Sequence, residues 1–156
     1  MEHRLLQLGY ALFLLGLLTG FGLPAMENPR MGLASHLEGI MNGLFLILLG
    51  ILWQRLVLSR RQAIATFALA IFGTFANWAA TLLAALWGAG HSMPIAAAGN
   101  QGLAWQEGIL DLLLFSLSFA MIGVCGLVLW GLRDSSRFEG HSVTSQPARP
   151  TLGLGS

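Results

Sequence analysis

The sequence predicts an all-α integral membrane protein, four transmembrane helices in a bundle with both termini cytoplasmic. Three observations predict it. Hydrophobic residues fill 55% of the 156 positions and charged residues only 10%, against roughly 25% charged in an ordinary soluble domain. Mean hydropathy is +0.70. The charges are also unevenly placed, since the runs 5–23, 39–54, 62–106 and 112–132 contain none, and a spanning helix needs about 20 mostly apolar residues.

The first helix is expected over about 5–23. Its uncharged run exceeds the roughly 7–15-residue core of a cleaved signal peptide and leads straight into more membrane sequence, so it reads as a retained span. The second helix is expected over about 33–53. The run 62–106 is too long for one span and breaks at Gly88-Ala89-Gly90-His91-Ser92-Met93-Pro94, where glycine and proline oppose helix. That leaves a third helix at about 63–87, a small-residue-rich interfacial loop over 88–106, and a fourth helix at about 107–132. Residues 1–138 then form one transmembrane domain, and 139–156, rich in Ser, Thr, Pro and Gly, is expected to be a disordered tail. Arg4, Arg55, Arg60, Arg61, Arg133 and Arg137 fall on one side of these spans and Arg30 on the other. By the positive-inside rule the termini and the second connection face the cytoplasm, the orientation of a bacterial inner-membrane protein.

Function classes fall away quickly. The net charge is +1 and all eight basic residues are arginine, leaving no dense basic patch for nucleic acid. The expected surroundings are membrane lipid. Cys125 is alone in an apolar run, so there is neither a disulfide framework nor a cysteine metal cluster. No glycine-rich phosphate loop, nucleophile elbow or metal-spaced histidine pair occurs. Scarce arginine argues against a voltage sensor, and the absence of an internal repeat against an ordinary secondary transporter.

The chemistry lies in the exceptions to apolarity. His36, Glu38 and Asn42 stand within two turns at the start of the second helix, and ionisable groups inside a span read as functional by default. At 100° per residue His36 shares a stripe with Gly32, Gly39, Gly43 and Gly50, while Glu38 and Asn42 form an i, i+4 pair on the far side. The glycine stripe suits close approach of a flat ligand, and equally suits a small-residue helix-packing seam with His36 merely hydrogen-bonded. Both readings stay open at this point. The third helix adds Thr74, Asn77, Trp78 and Thr81 at helical spacing, and the fourth opens with Trp105, Gln106 and Glu107 followed by Asp111. These groups are expected at one depth. Glu107 reads equally as a cap of its helix N-terminus, and Asp111 needs a partner among Arg30, His36 and His91. Four of the five tryptophans fall near helix ends as interfacial anchors, whereas Trp78 does not and is a candidate wall for an aromatic ligand.

The run from Asn28 to Gly43, NPRMGLASHLEGIMNG, resembles the hydroxylaminobenzene mutase family, as do FANWAATLL over 75–83, WGAG over 87–90 and MPIA over 93–96. The resemblance covers about 5–133. The spacing of His36 and Asn42 is also similar to that in the more distant styrene oxide isomerases. In those enzymes the corresponding histidine ligates haem b at a subunit interface of a homotrimer. The resemblance therefore implies a homotrimer, His36 as axial haem ligand, and Asn42 and Asn77 near the reacting group; the neighbouring glycine stripe, with Gly39 and Gly43, would then let the macrocycle approach the helix closely. One departure is informative: with Asn77 fixing the register, the Asp and Tyr of the epoxide isomerases' third helix become Gly73 and Thr81 here, and Tyr10 is the only tyrosine.

The implied activity is conversion of an aryl hydroxylamine such as hydroxylaminobenzene to an ortho-aminophenol by intramolecular hydroxyl transfer. Ferric haem would serve as Lewis acid, Asn42 and Asn77 would orient N–H and O–H, and Glu38 or Asp111 would move a proton. Trp78 would face the developing cation. Two alternatives compete, an epoxide isomerase and a non-catalytic haem-binding membrane subunit. The latter usually needs two axial ligands, and His3, His91 and His141 all lie outside the expected spans.

Overall fold

Each of the four expected spans becomes a helix, and capping residues set the starts of the second and third. The computed structural model describes the backbone of residues 1–139 and the side chains of residues 1–133. Its long helices are α1 (Glu2–Gly22), α2 (Pro29–Leu52), α3 (Arg60–Trp87) and α5 (Ala104–Glu139); the short α4 (Pro94–Ala97) lies in the last connection. The four long helices are each long and apolar enough to cross a membrane. The expected tail lies outside the described residues except Glu139, which ends α5.

The helix starts differ from the hydropathy reading for local reasons. α2 begins at Pro29, not near 33, because the Asn28 side chain accepts from Met31 N at 3.1 Å and proline occupies the first turn, where its missing N–H costs nothing. α3 begins at Arg60 because Ser59 and Gln62 form a reciprocal capping box. It ends on Gly88, whose left-handed φ of 62° suits glycine. α5 starts three residues before its expected 107 and runs past 132 to Glu139, with no proline in the segment to stop it.

The long helices pack in the order α1, α2, α3, α5, with α1 against α2 the most extensive contact and α5 resting mainly on α3. Glycine makes the first contact possible. A Cβ on Gly16 would stand 2.7 Å from Ile40 N, one on Gly39 2.5 Å from the Gly16 Cα, and one on Gly43 2.6 Å from Phe13 N. Two helix backbones therefore touch directly, the arrangement that small residues permit within membranes. Gly43→Val, which forces a branched side chain into that backbone, is expected to lower the melting temperature sharply or prevent accumulation of folded protein. The overpacking penalty is about 1–3 kcal/mol or more, and an unchanged melting curve in detergent would contradict the seam.

Two apolar clusters lie along the helices. Leu5, Leu12, Leu46, Leu49, Ala70 and Val124 form one, and Met31, Ala80, Ala84, Ala89 and Leu110 belong to the other. On α2 and α3 the polar residues fall in sequence between them. Outward, α2 exposes Leu33, Leu37, Met41, Leu44, Leu48 and Ile51, a continuous apolar stripe at helical spacing.

Candidate active site

Between α2 and α3 a carboxylate is gripped by two amides. Asn42 Nδ2 donates to Glu38 Oε2 at 3.1 Å, the i, i+4 contact that the spacing predicts. Asn77 Nδ2 of α3 donates to the same oxygen at 2.5 Å. Glu38 Oε1 has no hydrogen-bond partner among the described residues. Asn42 is buried, and Glu38 and Asn77 are half-buried. The cluster is thus a fixed carboxylate with one oxygen tied and one available, set in an apolar helix pair.

His36 belongs to the other face of the same helix. Its Nδ1 lies 2.8 Å from the Gly16 carbonyl oxygen of α1, and the ring is half-buried. Nε2 has no hydrogen-bond partner among the described residues. Among those residues no three His, Cys, Asp or Glu side chains gather where they could share a metal ion. A group needing only one protein ligand is a different case, and an imidazole with Nε2 unengaged meets that need.

Several expected neighbours separate. Gly39 and Gly43 face α1 across the packing seam, so the stripe beside His36 is filled by protein rather than open to a flat ligand. Trp78 is wedged over the same seam: its Nε1 donates to Thr19 Oγ1 at 3.1 Å, and its main-chain carbonyl accepts from Ser35 Oγ. It clamps helices and does not wall a cavity beside Glu38. Thr74 and Thr81 bond back to their own helix. Asp111 is exposed on α5 and accepts from the Ser92 hydroxyl, not from Arg30, His36 or His91. Glu107 stands in the first turn of α5, where negative charge is favoured, and from there it accepts from main-chain N–H groups of the preceding connection, from Gly90 at 3.0 Å, His91 at 2.9 Å and Gly102 at 2.8 Å. The expected convergence from three helices therefore reduces to α2 and α3. Asp111→Asn is expected to leave turnover within about twofold of wild type, as for a surface change away from the cluster; a large loss would return Asp111 to the site.

Sequence reasoning missed the residues that hold this end together. Asn28 is buried, and besides capping α2 it donates through Nδ2 to the Ala97 carbonyl at 3.0 Å and through its main-chain N to the Ala85 carbonyl at 3.0 Å. The Asn-Pro pair was the available signal. Gly73 is closed against α5, where a Cβ would stand 2.6 Å from Met121 Sδ. Tyr10 is 65% exposed on α1, so no tyrosine approaches the cluster.

Comparison with known proteins agrees with this residue pattern. The family model described as styrene oxide isomerase matches residues 1–133. Hydroxylaminobenzene mutase HabB of Ectopseudomonas oleovorans is 59% identical over 136 residues, 86% of this chain and 83% of that protein. Hydroxylaminobenzene mutase HabA of the same organism is 47% identical over 133 residues, 85% of this chain and 98% of that protein. No solved structure matches. With residues 1–133 matched by the family model and more than four fifths of the chain aligned to each of these relatives, the chain belongs to the styrene oxide isomerase family.

Proposed function

We propose that this protein is a membrane-embedded mutase that isomerises an aryl hydroxylamine to the corresponding ortho-aminophenol. The 59% identity to a protein named hydroxylaminobenzene mutase carries the choice of substrate. Substrate and product are isomers: the N–O bond breaks, the hydroxyl bonds to the ortho carbon, and the proton displaced there passes to nitrogen. Glu38 Oε1, the unengaged carboxylate oxygen, takes that ring proton and delivers it to nitrogen. Asn42 and Asn77 hold Oε2 and present their own carbonyl oxygens to the substrate N–H and O–H. The apolar clusters on either side limit water, which otherwise captures the cation at the para carbon.

His36 is the residue that would hold haem b, because its ring is hydrogen-bonded at Nδ1 and unengaged at Nε2. When bound, ferric haem supplies a Lewis acid for the hydroxyl oxygen without net redox change. His36 and Glu38 are two residues apart, roughly 200° around the helix, and flank the exposed stripe of α2 from opposite edges. Both reach one substrate when two copies meet across that stripe, so the reading includes a homo-oligomer, a trimer by family resemblance.

The arginine distribution supports a topology with both termini and the connection after α2 in the cytoplasm of a bacterial inner-membrane protein. A reporter fused after Arg61 should then read cytoplasmic and one within 91–100 the opposite side; both on one side would remove this topology. The activity test is incubation with phenylhydroxylamine carrying an ¹⁸O hydroxyl. 2-Aminophenol retaining the label is expected, and 4-aminophenol or label loss to water would refute intramolecular transfer. Styrene oxide consumed in place of the hydroxylamine would select the epoxide reading, which the closed Gly73 and the self-bonded Thr81 disfavour. Bound haem with neither conversion would select a non-catalytic subunit.

A further inference from the structure

α1 builds a socket for His36. The ring lies over the turn from Gly16 to Gly20, with Nδ1 2.8 Å from the Gly16 carbonyl oxygen. A Cβ on Gly20 would stand 2.8 Å from Nδ1 and 3.0 Å from Cε1, so at this position glycine is what leaves room for the imidazole. The three atoms nearest to such a Cβ all belong to His36. The socket is also held in place: the α1 and α2 backbones touch at Gly16 and Gly39, and Trp78 Nε1 bonds Thr19 Oγ1 at 3.1 Å. These contacts fix the height and rotation of the Gly16 carbonyl relative to His36.

A carbonyl oxygen only accepts, so in the neutral ring the proton sits on Nδ1 and the lone pair on Nε2. Neutral histidine without such a partner favours the opposite tautomer. A carbonyl that accepts from the ring nitrogen not used for ligation orients a ligating histidine and raises its basicity. We propose that the Gly16 carbonyl and the bare surface of Gly20 are positioning elements that select the Nδ1–H tautomer of His36 and present Nε2 as a ligand atom. The nature of the group that Nε2 meets rests on the haem reading above; the socket does not.

Two measurements separate these. In haem-free, ¹⁵N-histidine-labelled protein in detergent, the His36 nitrogens should report the Nδ1–H tautomer, and Gly20→Ala should shift the population toward Nε2–H with helical content and melting unchanged. In His36→Gly, haem uptake followed by its Soret band should be restored about tenfold better by imidazole than by 1-methylimidazole, which has no N–H to give the Gly16 carbonyl. An Nε2–H tautomer in wild type, or equal rescue by the two bases, would overturn the proposal. A wild-type protein holding the Nδ1–H tautomer yet taking up no haem would support the socket and remove the haem reading alone.

Discussion

Glu38→Gln is expected to lower 2-aminophenol formation by about 10²- to 10⁴-fold, the range that a positioned proton carrier contributes. The substitution keeps the size of the side chain and an amide oxygen that can accept from Asn42 and Asn77, so the contacts at 3.1 Å and 2.5 Å have a replacement acceptor. It removes only the group that can take a proton. Initial rates with phenylhydroxylamine, measured beside the melting temperature, test this directly: the rate should fall while the melting temperature stays near wild type. Glu38→Asp should recover part of the loss, since it keeps the acid but withdraws it by one methylene. A Gln variant that retains more than half the activity would take Glu38 out of the chemistry. The outcome is sharpened by Asp111, the other carboxylate that the sequence offers, because Asp111 is exposed and tied to Ser92 and its neutralisation is expected to change little.

Why the sequence yields some of this site and not the rest follows from the kinds of pattern involved. Four helices are legible because charge exclusion over some 20 residues is a one-dimensional signal. The Glu38 and Asn42 contact is legible because helical spacing fixes it locally. The partner on α3 is less so: Asn77 is visible as an isolated amide in an apolar run, but its bond to Glu38 depends on how α3 is rotated. Gly39 and Gly43 are ambiguous for a clear reason. A glycine stripe permits close approach by anything, and only the matching glycines of α1 decide that the occupant is a helix. Residues 88–103 carry no periodicity at all, so nothing local predicts that Glu107 would gather their N–H groups or that Asn28 would reach the carbonyl of Ala97. Trp78 misleads in the same way, since its indole N–H finds Thr19, a residue distant in sequence.

Co-expression of His36→Ala with Glu38→Gln, each close to inactive alone, is expected to restore activity to roughly a quarter of wild type if the site is shared between copies related head to tail. The reasoning is statistical. Each site takes His36 from one copy and Glu38 from its neighbour, and in a random equal mixture each position is intact in about half the cases, so about one site in four has both. The physical ground is the helix geometry: one side chain is hydrogen-bonded to α1 and the other to α3, on faces of α2 that one small planar substrate cannot touch together. If both groups served a substrate within one chain, no mixed assembly could combine them and the co-expressed pair would stay as inactive as its parents. Separate tags on the two variants, with tandem purification, isolate mixed oligomers before the assay. Activity in that fraction would place the substrate between two copies of α2, and its absence from a demonstrably mixed oligomer would overturn the shared site and confine the chemistry to a single bundle.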